Sequence, residues 1–272
     1  MQNYKNKITL EELKSLQMNI LDYVDSFCKE NNIRYSLCGG SLIGAIRHKG
    51  YIPWDDDIDI MMPRPDYDKF LELFNKNADS RYCAINYLTD KEFYQPFSKI
   101  VDTSTVLIEA FERKIKRLGV NIDLFVIDGL PNDTNKRNAY WKKMLKLRNL
   151  ATCLYQKDHH KERGIKKIIR KFLFYFFKLL PGNFFAKRFD KIAKLNNFES
   201  SNIIANSIFG YGKKEEMPGK LFEEFVDVDF EGRKYKSVKD YHTYLSNIFG
   251  DYMKLPPKEM QIAKHDFEAY YK

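Results

Sequence analysis

Five aspartates and one Gly-Gly-Ser turn are the places where this chain's residue types could do chemistry. In the run WDDDIDIMM charged and apolar residues alternate, which predicts a strand over 57–62. Successive strand side chains face opposite ways, so Asp57 and Asp59 share a face. Asp55 joins them if the strand starts early, and Asp56 points away. Neighbouring carboxylates repel each other and are tolerated mainly around a cation. Magnesium suits such a pair, because it takes a few carboxylates and completes its octahedron with water and phosphate oxygens. A further acid, Asp123, stands inside the apolar run NIDLFVID, where a lone buried charge is costly. The bland alternative for the aspartate run is a solvated acidic turn. Ile58, Ile60, Met61 and Met62 argue instead for a strand in the core.

Upstream, Gly39-Gly40-Ser41 reads as a tight turn into a short helix over 42–47. Two acids on one strand and a third on a neighbour, after such a turn, form the arrangement of the nucleotidyltransferase fold. There the turn's amides and the helix start cradle phosphate while the carboxylates hold metal. The stretch LCGGSLIGAIRHKGYIPWDDDIDIMMPRPDYDKF closely resembles the signature of the LicD family. PFSKIVDTST, NIDLFVIDGLP, GDYMKLPP and KHDFEAYY extend the resemblance over nearly the whole chain, the basic middle being its least family-like part.

The resemblance implies a phosphotransferase. Bacterial members of the family move phosphocholine from CDP-choline to cell-surface glycans, and distant animal members use an alditol donor. Carried over by position, Asp57, Asp59 and Asp123 are the metal-binding and catalytic acids. Gly40 and Ser41 are the phosphate-cradling turn. Arg47, with His48 and Lys49 in the RHKG piece, is placed to neutralise a diphosphate, and Lys99 faces the nucleotide. The implied cofactor is Mg2+, with Mn2+ as substitute. The implied partners are CDP-choline or a related CDP-activated donor and a glycan acceptor (teichoic acid, lipopolysaccharide or capsule precursor), free or lipid-linked. CMP would leave. Trp54 reads as a core wedge and Asp128 as a turn residue before Gly129. A quaternary ammonium is held by aromatic faces, and the rings nearest the motifs are Tyr51, Trp54, Tyr94, Phe97 and Tyr211. Two other readings stay open: a CDP-ribitol or CDP-glycerol donor on the same site, and a non-catalytic polyanion binder.

The elements that must position these residues are α/β in class (α+β): a nucleotidyltransferase-like mixed sheet with flanking helices over 1–131. A mostly helical basic region and C-terminal segment follow over 132–272 and complete the acceptor and nucleotide site. Thr9 and Glu12 form a capping-box pattern ahead of an amphipathic helix that ends at Asn31-Asn32. A short strand is expected over 33–38, a helix from Asp66 to Asn75, and strands over 82–88, 96–102, 105–110 and 120–128. Glu231-Gly232 is the turn of a hairpin around 226–236, followed by a helix over 238–249.

The chain has 272 residues, 44% hydrophobic and 15% aromatic, which excludes disorder as its general state. The formal charge of +9 is unevenly spread. Residues 136–194 hold 18 Lys/Arg against three acids, a balance of +15, and the rest carries −6. Segregation of this kind suggests a patch facing a polyanion or an anionic membrane, and no nucleic-acid-binding motif is present. Cys28, Cys38, Cys83 and Cys153 form no CxxC pair, and the adjacent His159 and His160 lack metal spacing, so no zinc site is expected. Without an apolar leader or a stretch of ~20 apolar residues, the expected location is cytoplasmic. The run over 163–188 sets lysines and arginines around Phe172-Leu173-Phe174-Tyr175-Phe176-Phe177. It reads either as a buried helix or as a peripheral contact at the inner face of the plasma membrane.

Overall fold

A computed structural model describes residues 6–76, 80–109, 115, 117–155, 164–208, 211–262 and 267–272. His159, His160 and the first residue of the 163–188 segment lie outside the described residues. Helix α1 (Leu10–Glu30) opens the fold with the expected capping box. Thr9 Oγ1 accepts from the Glu12 N–H at 3.2 Å, and Glu12 Oε2 accepts from the Thr9 N–H at 2.8 Å. The short β1 (Ser36–Leu37) leads into α2 (Gly39–His48), β2 (Asp59–Pro63) and α3 (Arg64–Phe74). Next come β3 (Tyr82–Ile85), β4 (Ser98–Asp102), β5 (Thr105–Glu109) and β6 (Asn121–Gly129).

The main sheet runs β1-β2-β6-β4-β3, with β2 and β6 parallel and the other pairs antiparallel. Its centre is nearly dry: Ile58, Ile60, Met62 and Leu124 are fully buried. On the sheet, α1 and α3 interlock through Phe27, Phe70 and Phe74, with ring centroids 4.5–5.6 Å apart. Aromatic pairs of this kind add to plain area burial.

Three differences from the sequence reading have clear causes. The ladder of β2 starts at Asp59, two residues late, because 55–58 are tied by single hydrogen bonds, the Asp56 carbonyl to Gln17 of α1 and the Ile58 carbonyl to the Asp123 N–H of β6, ahead of the paired register. Pro63 ends β2 and serves as N-cap of α3, which starts at Arg64 with Pro65 in its first turn, where a missing N–H costs nothing. The two glycines are not a loop ahead of α2; they are its first turn, and Gly39 takes φ +53°, a left-handed value glycine adopts readily.

The second half is helical in its middle and then returns to the sheet. Helices α4 (Thr134–Tyr155), α5 (Ile165–Lys178) and α6 (Phe184–Ala193) precede β7 (Ile203–Ala205). β7 pairs with the C-terminal end of β6 and with β8 (Met217–Pro218). A 3-10 turn over Gly212–Glu215 lies between them. The hairpin β9 (Phe225–Phe230) and β10 (Arg233–Val238) turns at Glu231-Gly232 as expected, both with positive φ. Helix α7 (Tyr241–Phe249) follows, capped by Asp240, and β11 (Phe267–Tyr271) closes on β5.

Among the described residues no helix is long and apolar enough to cross a membrane.

Candidate active site

The acidic run is held by its backbone. Gln17, buried on α1, donates its side-chain amide to the carbonyls of Asp56 (3.0 Å) and Asn121 (3.3 Å), tying the run to the start of β6. The Asp123 N–H donates to the Ile58 carbonyl at 2.8 Å, and the parallel register sets Asp59 beside Asp123. On the other edge of β6, Lys99 of β4 is opposite Asp123, and its Nζ lies 2.6 Å from Asp123 Oδ1 and 3.1 Å from Asn121 Oδ1. The two acids seen in the sequence thus meet as neighbours on adjacent strands.

The N-terminus of α2 closes the other side. The Cys38 N–H donates to the Asp59 carbonyl, and the Asp59 N–H donates to Ser41 Oγ at 2.8 Å. Ser41 is buried, and its oxygen pins the helix start to β2. A Cβ on Gly39 would meet Asp59 Oδ2 at 3.0 Å, and one on Gly40 would meet Asp55 Oδ2 at 2.7 Å. Both glycines therefore admit a carboxylate against the positive end of the helix, a place that stabilises negative charge.

Asp55, Asp56 and Asp57 each offer an oxygen within 4.8 Å of the others. Strand alternation puts Asp56 on the far side; in the structure 55–57 precede the ladder, so alternation does not govern them. Burial pushes the Asp59 carboxyl well above its usual range, and Asp57, Asp123 and Asp55 push it the same way against the pull of Lys99. A cluster so short of positive charge fits a hard divalent cation with oxygen ligands.

Around this centre the structure adds residues that sequence reasoning missed. Glu215 is 5% exposed, its Oε1 accepts from the Tyr211 N–H at 3.3 Å, and burial lifts its carboxyl to about 7. Its charge bears on Cys38 and on Tyr244, whose hydroxyl accepts from the Gly39 N–H at 3.4 Å. The sequence GKKEEMPG carries no mark of a buried acid. Burial pushes the Cys38 thiol well above its ordinary range, which disfavours the thiolate.

Arg47 is engaged by backbone carbonyls and by its neighbour. It donates to the carbonyls of Tyr252 (2.7 Å) and Lys254 (3.2 Å) and to His48 Nε2 (2.8 Å). The RHKG piece is explained by packing: a Cβ on Gly44 would meet the Gly50 carbonyl at 2.4 Å, and Glu231 of the hairpin accepts from the Tyr51 N–H. Asp128 is a buried ion-pair partner, not a turn residue. Arg64 contacts it through Nε and Nη2 at 2.6 and 2.9 Å and reaches Asp190 at 3.0 Å. Trp54 is half-buried, edge-on to His48. Of the candidate rings, Tyr51 lies between Phe230 and Lys14, Phe97 packs on Phe125, and Tyr94 is buried. Tyr211 is 55% exposed, feels the Asp59 charge and meets Phe249 edge-on at 5.2 Å.

A mixed sheet with carboxylates on adjacent strands, facing a glycine-started helix, is a nucleotidyltransferase-like arrangement. Residues 32–144 match the family described as LicD/FKTN/FKRP, nucleotidyltransferase domain. Over 271 residues, 97% of this chain and 98% of the relative, it is 34% identical to the lipopolysaccharide cholinephosphotransferase LicD of Haemophilus influenzae. Two shorter stretches resemble uncharacterized Rickettsia proteins. One is RT0683 of R. typhi, 35% identical over 24% of this chain and 21% of that one; the other is RP689 of R. prowazekii, 43% identical over 21% of each. The chain belongs to the LicD family, and it is a phosphotransferase enzyme.

Proposed function

We propose that this enzyme transfers phosphocholine from CDP-choline to a sugar hydroxyl of a cell-surface glycan, releasing CMP. The relative's acceptor, by its name, is lipopolysaccharide, and a lipid-borne glycan is the acceptor class proposed here. One observation carries the reading: the Asp59–Asp123 register, with Asp55 and Asp57 alongside, brought against the start of α2.

Asp57, Asp59 and Asp123 would hold magnesium, which supplies Lewis-acid neutralisation of the donor's diphosphate. The protein's own work is placement. The first turn of α2 offers amides toward a phosphate. Asp123, pinned by Lys99, accepts the hydrogen bond of the acceptor hydroxyl and takes its proton as the new O–P bond forms and the P–O bond to CMP breaks. Tyr211, beside Phe249, presents an aromatic face for a quaternary ammonium.

The test is to incubate the protein with magnesium and CDP-choline, CDP-glycerol or CDP-ribitol in turn. CMP release from CDP-choline, lost with EDTA, is expected. Release only from an alditol donor would replace choline in this reading. Salt-sensitive binding of polyanions without turnover of any donor would overturn the transferase reading.

A further inference from the structure

Helix α5 separates into two faces that the sequence run blends. Inward, Phe174 is 3% and Phe177 9% exposed, and buried Arg170 donates to the Thr152 carbonyl at the end of α4. Outward, Ile165, Ile168, Ile169, Phe172, Phe176 and Leu179 are 50–84% exposed. At 100° per residue these six fall within a stripe of roughly 80–100°. Lys171 and Lys178 lie along one edge with the exposed Tyr175 between them and the stripe, Lys166 lies toward the other edge, and α5 carries no acid.

A monomeric soluble protein rarely leaves so continuous an apolar stripe in water. A protein partner wants a rim of mixed polar groups that sets register, and the charged side chains that α5 itself sets beside this stripe are all cations. An apolar centre with a one-sign basic border matches a fluid anionic surface.

We infer that the outer face of α5 docks the enzyme flat on an anionic lipid bilayer, with its isoleucines and phenylalanines at the acyl boundary and its lysines at the headgroups. Docking there deepens the function proposed above, and its purpose rests on that reading's lipid-borne acceptor. Helix α4 connects the two places. It holds α5 at Thr152, and about 16 Å along its axis the Trp141 indole N–H donates to Glu216 beside the buried Glu215. The docked surface and the reaction centre therefore both bear on one helix, along which a membrane-anchored glycan would meet a soluble nucleotide donor.

The experiment is co-sedimentation of the full chain with vesicles of mixed phosphatidylglycerol and phosphatidylcholine at low salt. Wild type should pellet with them, be released by salt, and bind neutral phosphatidylcholine vesicles at least tenfold less. Ile168→Asp with Phe172→Asp, both at exposed positions, should cut partitioning at least tenfold with Tm unchanged. Lys166→Glu with Lys167→Glu should weaken it severalfold. CMP release from soluble donor should be unaffected in both variants, which separates loss of docking from failure of the catalytic reading. Absence of wild-type binding, equal binding by the Ile168→Asp/Phe172→Asp variant, or equal binding to neutral vesicles would overturn the inference. So would a wild-type dimer that this variant turns into a monomer, since a second copy would then be the occupant.

Discussion

Glu215→Gln isolates the electrostatic cost of the buried acid beside the site. In the folded chain burial raises this carboxyl from 4.5 to about 7, against one hydrogen bond from the Tyr211 N–H that pulls the other way. Between those two values the folded protein keeps a proton that the unfolded chain has released. Stability contributed by the neutral acid is therefore complete below pH 4.5, falls as pH rises through the window, and is gone above about pH 7. At about 1.4 kcal/mol per pH unit, the window is worth about 3 kcal/mol. Glutamine keeps the shape and cannot ionise. The variant should gain about 2 to 3 kcal/mol relative to wild type on going from pH 5 to pH 8. Urea unfolding at the two values measures it, with intrinsic fluorescence as probe because Trp141 bonds the adjacent Glu216. Groups common to both proteins cancel in the difference. A difference constant to within about 0.5 kcal/mol would refute the assignment of a charge-excluding environment to Glu215.

Asp57→Asn and Asp59→Asn should each slow CMP release by about 10³-fold or more, the scale of a lost metal-held charge. The fold should be retained or stabilised, because each change relieves like-charge repulsion at Asp59; full activity in both would sink the site. CDP-choline with magnesium at a hundredfold excess over Kd should stabilise by about 2.7 kcal/mol, a Tm rise of roughly 5–10 °C. EDTA should abolish that rise, and a shift indifferent to chelator would mean that metal does not hold the donor. Asp128→Ala leaves Arg64 buried with only part of its charge matched. It should destabilise by about 3–5 kcal/mol in urea unfolding, and a loss below about 1 kcal/mol would show the pair to be ornamental.

Much of what positions the site was legible in residue order, because it is local. The Thr9–Glu12 box starts α1, the alternation at 57–62 foretold β2 to within two residues, and Glu231-Gly232 turns its hairpin through two positive φ angles. Residue types also marked Asp57, Asp59 and Asp123 as acids out of place among apolar neighbours. Pairing across the chain was not legible. Lys99 reads as a nucleotide-facing cation, and only β4 sets it against Asp123; Arg47 reads as a diphosphate ligand, and only the fold brings the carbonyls of Tyr252 and Lys254, some 205 residues on, to it. The run over 172–177 reads either as a buried helix or as a peripheral contact until α4 covers one side of α5 and leaves the other exposed. Glu215, between lysine and glutamate, looks solvated until the packing around α7 removes its water. Periodicity and capping act over a few residues and so are written in the sequence. Burial, charge pairing and the cost of ionising a group depend on which distant segments arrive beside it, and only the folded chain decides that.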